Sequence, residues 1–327
     1  MNPSLPNRQS IRKRGWDYTR AGWYFVTINT RKSQALFGVV VNGRMVLSEM
    51  GRMAEGCWRE IPKHFPHARV DEHVIMPNHM HGLIELIGGE QAIASGRAIA
   101  RPYTLGDVVG AYKAAVSREI GRGGQLPARA PAAGASPIWH RNYWDVIVQD
   151  AQALANIRHY IRLNPQNYEA VMKVGEPRML GNAALLDMPK MGFLASRGEA
   201  RPHGQLPLKA GEAIISGFLS PMERAVFKAG LEHKRALIWV VPFGVGLTRQ
   251  ALPRQAPAVR RAIDAGLLLM VSPFSDDIDA PSVRRAAWCN HYVLAHCDRM
   301  VIGHLNPGGM LLCILSEADP DLEITCL

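Results

Sequence analysis

Short apolar runs alternate with polar residues along positions 1–180 in two distinct periods. Residues 23–30 are mostly aromatic and β-branched, which is typical of a strand. Asn42-Gly43 stands between two short apolar runs and predicts a tight hairpin turn. The period-two pattern predicts further strands at 36–41, 44–47, 69–76, 79–87 and 138–148.

The helical period occurs three times in the same stretch. Ser48 is the predicted N-cap of a helix over 49–61, which the two following prolines end. A second helix is predicted over 104–121 and a third over 151–163, which Asn164-Pro165 is expected to end. Two stretches rich in glycine, alanine and proline are predicted to be loops without a site of their own, at 88–103 and 122–137.

Beyond about residue 180 strands and helices alternate regularly. Ser220 and Glu223 form a capping box, with Pro221 at the first helical position. Strands are predicted at 191–195, 212–215, 236–241, 267–271, 299–302 and 322–326, and the helices between them include 258–265, 282–297 and 309–318. This alternation predicts a doubly wound parallel sheet. The fold class is therefore predicted to be α/β, in two domains over 1–180 and 181–327.

Charge separates the two halves of the chain. Of a net charge of +10 over 327 residues, positions 1–180 hold 23 Lys and Arg against 14 Asp and Glu, and positions 181–327 hold 15 against 14. A basic excess in one half is typical of a protein that binds a polyanion, most often nucleic acid, although a basic protein can also be merely soluble. The candidate DNA-binding residues are basic or aromatic: Arg12, Lys13, Arg14, Trp16 and Arg141.

Cysteine usage and the start of the chain bear on the compartment. The five cysteines are scattered without a Cys-x-x-Cys pair, which argues against a zinc ribbon and a disulfide framework. The start has no apolar signal core, and no stretch approaches ~20 uninterrupted apolar residues. A cytoplasmic protein, neither secreted nor membrane-spanning, is expected.

Two histidines one residue apart open the apolar strand at 79–87. In an extended strand His79 and His81 share one face while Met80 takes the other. Two neutral imidazoles side by side make half of a metal site. The alternative is a polar strand face on which the pairing is chance.

Tyr160 and Asn164 are four residues apart and share a helix face. A tyrosine hydroxyl, with a pKa of ~10, needs a metal or base nearby to act as a nucleophile. A divalent cation held by His79, His81 and the amide oxygen of Asn164 would polarise a phosphodiester for attack, and two nitrogens with one oxygen suit Mg²⁺ or Mn²⁺. Alternatively, Tyr160 is a core aromatic and Asn164 a helix stop.

Three separated motifs carry a family resemblance. They are Met76-Pro77-Asn78-His79-Met80-His81-Gly82, the stretch 139–145, and Tyr160-Ile161-Arg162-Leu163-Asn164-Pro165. Over about residues 8–170 the chain resembles the REP-associated tyrosine transposases, single-tyrosine members of the HUH endonuclease superfamily. The resemblance implies a ferredoxin-like core that cuts and joins single-stranded DNA beside palindromic hairpins through a 5′-phosphotyrosine. It matches Tyr160 to the nucleophile and His79, His81 and Asn164 to the metal ligands. Val146 departs from the histidine usual in the family.

Ligands of doubly wound sheets bind at the carboxyl ends of the strands. Small and polar residues follow several predicted strands there, and the candidates for nucleotide binding are Ser196, Arg197, Ser216, Gly217, Gly308 and Gly309. Taken singly, each glycine pair is better explained as an ordinary tight turn. Together with Trp288-Cys289-Asn290 they resemble the Rossmann-like domain of the DNA-processing protein A and LOG superfamily, which implies a nucleotide or single-stranded DNA ligand.

These observations favour a metal-dependent tyrosine transposase fused to a Rossmann-like binding domain. The alternative is a non-catalytic regulator that binds hairpin DNA and senses a nucleotide through its second domain. A replication-initiation or relaxase-type nickase is a weaker third hypothesis.

Overall fold

Strand and helix propensities in the first half of the chain give a small sheet with helices on its faces. The computed structural model describes residues 15–87, 103–123, 138–172, 176–198, 206–245, 256–306, 309–319 and 321–327. The chain divides into two compact units, Met1–Glu169 and Ala170–Leu327. Its first elements are β1 (Gly22–Asn29), β2 (Gly38–Val41), β3 (Arg44–Leu47), α1 (Glu49–Arg59), α2 (Ile61–His64), β4 (Ala68–Ile75), β5 (His79–Leu86), α3 (Leu105–Arg122), β6 (Trp144–Val148) and α4 (Ala151–Met172).

Four strands form the sheet of the first unit in the order β4-β5-β1-β6. Every neighbouring pair is antiparallel. With α1 between β1 and β4 and α3 between β5 and β6, the chain follows the β-α-β-β-α-β order of a ferredoxin-like fold. The predicted ferredoxin-like topology is thus observed.

The two faces of this sheet have different chemistry. Tyr24, Val26 and Ile28 of β1 point into an apolar core shared with residues of α1 and α3. Between them, Phe25 and Thr27 lie on the opposite face, where both contact His81. Strand alternation therefore separates the packing face from a face that carries polar side chains.

The predicted hairpin and helix caps are observed. Asn42 and Gly43 both have positive φ, +51° and +69°, which is the conformation of a tight two-residue hairpin turn. The Ser48 side chain accepts from the amide of Gly51 and caps α1. Pro62, expected to end a helix over 49–61, instead lies in the first turn of α2, where its missing N–H has no partner to lose.

Two local predictions in the first unit are wrong. The predicted strand over 138–148 is confined to β6, because the Lys113 ammonium binds the preceding carbonyl oxygens of His140, Arg141 and Asn142 at 2.7, 3.1 and 3.3 Å. The predicted helix end at Asn164-Pro165 is also wrong, since α4 continues through Pro165 to Met172. Asn164 is thus a residue of the helix interior.

Alternating strands and helices build the second unit. Its elements are β7 (Arg178–Gly181), β8 (Lys190–Ala195), β9 (Ala213–Ser216), α5 (Pro221–Glu232), β10 (Leu237–Val240), α6 (Ala256–Asp264), β11 (Leu268–Ser272), α7 (Val283–His296), β12 (Arg299–His304), α8 (Met310–Leu315) and β13 (Glu323–Cys326). They form a sheet in the order β13-β12-β8-β9-β10-β11-β7. All pairs are parallel except that of β7 with β11, and β7 was not predicted.

Both units combine helices and sheets, so the predicted α/β class is confirmed. Most of the two glycine- and proline-rich stretches at 88–103 and 122–137 lies outside the described residues. Within the part of the chain that the structure describes, no helix has the length and apolar character needed to cross a membrane.

Candidate active site

The two histidines lie on the polar face of the first sheet, as strand alternation predicts. In the register of β5 with β1, His81 is opposite Thr27 and His79 is opposite Asn29. His79 is 3% exposed and His81 is fully buried, while Met80 between them packs into the apolar core. His79 and His81 therefore lie on a buried part of the strand face and not on an exposed one.

Each histidine is held by a second polar side chain. His79 Nδ1 lies 2.8 Å from Asn78 Oδ1, and His81 Nδ1 lies 2.8 Å from Thr27 Oγ1. Donation to Asn78 directs the Nε2 lone pair of His79 toward His81. Because the Thr27 hydroxyl can donate or accept, His81 can either donate its Nε2–H to His79 or present a lone pair beside it.

The spacing of the two imidazoles fits a metal ion. Their Nε2 atoms are 3.1 Å apart, and the ring centroids are 4.6 Å apart. Two neighbouring ligands of an octahedral ion lie about 3.0 Å apart when each bond is about 2.1 Å. The pair can thus present two nitrogens at adjacent positions of one ion, with their outer nitrogens held as ligand histidines commonly are.

Helix α4 brings Tyr160 to this face, and Asn164 lies in the same helix. The Tyr160 ring packs edge-on against His81 with centroids 5.5 Å apart. Tyr160 is 6% exposed, and Asn164, one turn further along the helix, is 3% exposed. The Tyr160 ring and the two imidazoles therefore lie together on one side of the sheet, and Asn164 is a buried residue one helical turn from Tyr160.

The wall of this site is apolar where the resembled family has a histidine. Phe25 stacks on the other side of His81, with ring centroids 5.3 Å apart. Val146 pairs with Phe25 across β6 and β1 and is 8% exposed. Residues directly opposite in a sheet share a face, so Val146 extends this wall and offers no ligand atom.

The predicted DNA-binding residues fall into two groups. Arg12, Lys13 and Arg14 lie outside the described residues. Trp16 donates its indole N–H to the Tyr24 hydroxyl at 3.3 Å, and the Arg20 guanidinium lies 4.7 Å from the Trp16 ring centroid.

Arg141 belongs to the loop that Lys113 holds by its carbonyls. The Arg141 residue itself is exposed. Arg141 is thus an exposed basic residue in a loop whose backbone is held by Lys113.

In the second unit, the strand order reverses between β8 and β12, which is where doubly wound sheets form a ligand crevice. Ser196 follows β8, and its hydroxyl accepts from the amide of Asn306 at 3.1 Å. Asn306 Nδ2 donates to the carbonyl of Arg197 at 2.8 Å, and Asn306 Oδ1 lies 2.8 Å from His304 Nε2. Ser196 and Arg197 are thus tied to the segment after β12.

The remaining nucleotide-binding candidates have structural contacts. The fully buried Ser216 accepts from the amide of Phe218 at 3.1 Å, and the Gly217 carbonyl accepts from the Trp239 indole at 3.1 Å. Gly309 precedes the short helix α8, and its amide donates to the Asn306 carbonyl at 3.0 Å. Gly308 lies outside the described residues.

Glu223 is a buried acid that makes a long-range hydrogen bond which the sequence does not predict. Its carboxylate accepts from the amides of Ala195, Leu219 and Ser220 at 2.8, 2.6 and 3.2 Å. Burial raises the pKa of Glu223, and these three donors oppose the shift. The capping box with Ser220 is predictable, but the bond to the end of β8 depends on the tertiary fold.

Thr27 and Asn78, two residues whose polar side chains contact the histidine pair, were also not predicted from the sequence. Asn78 adjoins the histidine pair in sequence, which is a usable signal. Thr27 reaches His81 only through strand register, so nothing local marks it.

Comparisons with known proteins give a sequence relative and several partial structural likenesses. No protein-family model matches the chain. A protein of Haemophilus influenzae (strain ATCC 51907 / DSM 11121 / KW20 / Rd), named as an uncharacterized protein, is 34% identical over 177 residues, covering 51% of this chain and 93% of that protein.

The first structural likeness is to a REP-associated tyrosine transposase bound to a REP hairpin. Its TM-score is 0.34 at 16% identity, covering 48% of this chain and 74% of that chain. The second is to DNA processing protein A of Helicobacter pylori, solved for its single-stranded DNA binding mode. Its TM-score is 0.35 at 18% identity, again over 48% and 74% of the two chains. Scores this low leave the functional argument to the side chains of the site.

Proposed function

This chain belongs to the same protein family as the uncharacterized Haemophilus influenzae protein. Because the name of that relative states no activity, we propose the function of this chain from the site itself. The first unit is a metal-dependent endonuclease and strand transferase acting on single-stranded DNA near palindromic hairpins. Tyr160 is its nucleophile. His79, His81 and Asn164 hold the Mg²⁺ or Mn²⁺ ion.

One observation carries this proposal. The ring of Tyr160 packs against His81, whose Nε2 atom is 3.1 Å from that of His79. Burying a tyrosine and two imidazoles in contact on one sheet face costs folding free energy, because buried polar groups need specific partners. This cost supports a functional role for the three side chains. Asn164 supplies an amide oxygen from the same helix one turn away, which completes a mixed nitrogen and oxygen ligand set.

The reaction follows from a tyrosine beside a cation site. When bound, the divalent ion polarises the scissile phosphate and offsets the negative charge that develops there. Tyr160 Oη loses its proton to solvent and bonds to phosphorus, and the bond from phosphorus to the 3′ oxygen breaks. The 3′ oxygen takes up a proton and leaves as a hydroxyl, while the 5′ phosphate stays on tyrosine. Attack of another 3′ hydroxyl on this phosphotyrosine reverses the step and joins the strands.

The basic residues and the second unit supply binding in this proposal. The arm that contains Arg12, Lys13, Arg14 and Trp16 contacts the DNA backbone and bases, and Arg141 contacts a phosphate. The second unit binds a nucleotide or single-stranded DNA at the carboxyl edge of its sheet. The tied segments at Ser196, Arg197 and Asn306 support this part, since they lie where the strand order reverses.

The test is adduct formation. Labelled single-stranded DNA carrying a hairpin is incubated with the full chain and Mn²⁺ or Mg²⁺, and a covalent protein–DNA product is sought on a denaturing gel. Wild type should form the adduct, a chelator should abolish it, and Tyr160→Phe should form none because the attacking oxygen is gone. Tyr168→Phe, on the same helix two turns further on, is the matched control and should keep the activity.

Three outcomes would change the conclusion. An adduct formed by Tyr160→Phe would show that the nucleophile is another residue. Activity that persists without divalent ions would remove the metal from the mechanism. Tight hairpin binding by wild type without any adduct would support the non-catalytic regulator instead.

A further inference from the structure

We infer that Asp71 and Glu72 are positioning residues for α4, the helix that carries Tyr160. A bulge in strand β4 directs both acids toward Arg158 and Arg162 of that helix. The inference deepens the proposed function and rests on it. Neither acid touches the reacting atoms in this proposal. They act by fixing where α4 places Tyr160 relative to the histidine pair.

The bulge is visible in the register of the sheet. Val70 pairs with Ile84 and His73 pairs with Gly82, so that Asp71 and Glu72 together oppose the single residue Leu83. In a regular strand, two consecutive side chains point to opposite faces. An extra residue in one strand locally breaks that alternation and can aim both side chains to one side.

The residues flanking the bulge support this interpretation. Val70 packs against the apolar core of the first unit. His73, three positions later instead of two, lies 3.8 Å from Glu55 of α1 and 6.1 Å between ring centroids from Trp58. Both flanking residues therefore face the α1 side, which leaves the two acids between them for the side of α4.

Both acids meet an arginine of α4 in the same way. Asp71 Oδ2 accepts from Arg158 Nε at 2.9 Å and also from its Nη2. Glu72 Oε1 accepts from Arg162 Nε at 2.7 Å, with Nη2 of that arginine also 2.7 Å away. The two arginines are one helical turn apart and bracket Tyr160, so the paired contacts define both the height and the rotation of the helix.

Partial burial makes the first pair the firmer one. The side chains of Arg158 and Asp71 are 34% and 25% exposed, against 58% and 30% for Arg162 and Glu72. The Arg158 guanidinium also lies 5.4 Å from the Trp23 ring centroid. Exposed ion pairs add little to stability, so the value of these two lies in geometry.

A second contact holds the helix beyond its proline. The amide of Asn42 at the tip of the β2–β3 hairpin donates to Glu169 Oε1 at 2.9 Å. Gly43 packs so closely on Gln166 that an added Cβ would lie 3.0 Å from Gln166 Cγ. The part of α4 that carries Tyr160 and Asn164 thus has anchoring contacts at Arg158 and Arg162 and again beyond Pro165.

The test neutralises the two acids without changing their shape. In Asp71→Asn/Glu72→Gln, single-turnover adduct formation at saturating hairpin DNA and Mn²⁺ should fall about tenfold or more, because small displacements of a reacting group are costly. DNA affinity should not fall, since neither acid belongs to the proposed DNA contacts and the substitutions remove negative charge. Glu119→Gln, which removes the exposed pair of Glu119 with Arg122 in α3, is the matched control and should behave as wild type.

Rescue and hydrogen exchange separate positioning from folding and from the proposed chemistry. Amides of residues 157–164 should exchange faster in the double variant, while those of β5 should not change. Glu72→Arg combined with Arg162→Glu should restore the rate that Arg162→Glu alone loses. Unchanged exchange in α4 or no rescue by the swapped pair would overturn the inference. A wild type without adduct would refute the proposed function, yet the exchange result would still decide the positioning role.

Discussion

Gly82 leaves room for Trp58, one of two buried tryptophans in the first core, and a side chain at position 82 should destabilise the protein. Gly82 follows His81 in β5, and a Cβ built on it would lie 2.2 and 2.6 Å from Cζ2 and Cη2 of Trp58. Carbon atoms do not approach so closely, so Gly82→Ala must move the indole or the strand. Trp58 is fully buried and packs edge-on against Tyr112, with ring centroids 5.3 Å apart, so it has little space to retreat.

The expected cost is that of an overpacked core, about 1–3 kcal/mol of unfolding free energy. Trp58→Phe should relieve the clash because a phenyl ring lacks the outer edge of the indole. Trp58 Nε1 finds no hydrogen-bond partner among the residues that the structure describes, so this replacement gives up no hydrogen bond there. Gly82→Ala should then cost at least about 1 kcal/mol less in the Trp58→Phe background than in wild type.

Urea unfolding of the full chain measures these differences, and amide exchange in β5 assigns them to the first unit. Gly110→Ala is the matched control, because its Cβ would meet nothing within 4 Å on an exposed position of α3. That control should stabilise the protein by about 0.5–1 kcal/mol, as alanine replaces glycine in a helix. Strictly additive effects of Gly82→Ala and Trp58→Phe would refute the proposed clash.

Two further predictions concern the proposed metal site and an ion pair in the second unit. Thr27→Val removes the hydroxyl that holds His81 Nδ1, so Mn²⁺ affinity, measured by titration calorimetry, should fall about 10–100-fold. An unchanged affinity would show that Thr27 does not orient the ligand. The Arg299 guanidinium lowers the pKa of Glu212 from its ordinary 4.5, so this pair adds stability that is present above about pH 4.5 and lost as the pH falls through the lowered pKa. Thermal melts should therefore show that Glu212→Gln is less stable than wild type at neutral pH and that the difference shrinks in acid. A constant difference would contradict this account.

The histidine pair was predictable because β5 is regular over that stretch. Period-two alternation places His79 and His81 on one face and Met80 on the other, and the structure has that arrangement. Thr27 was not predictable, since it meets His81 through a register between strands that are 54 residues apart in sequence. Side chains that orient a site therefore cannot be predicted from local sequence when strand pairing between distant residues brings them there.

The errors have the same origin. Residues 138–143 have strand-like composition, but Lys113 binds three of their carbonyl groups, and nothing near them in sequence announces that donor. The bulge at Asp71 and Glu72 likewise has no glycine or proline to mark it. The edge strand β7, with all four residues exposed, lacks the apolar run that would predict it.

Helix α4 is the most instructive error, because its sequence argues against the structure it adopts. Proline in a helix interior costs about 3 kcal/mol relative to alanine, and asparagine is a poor helix former as well. The helix nevertheless continues, because Ile157, Tyr160 and Ile161 bury one side of it and contacts beyond Pro165 hold the rest. Conflicts between local preference and the final fold are expected where a residue is kept for function. A buried Asn164 directly before a proline is such a conflict, and it supports the proposed role of its amide oxygen as the third metal ligand.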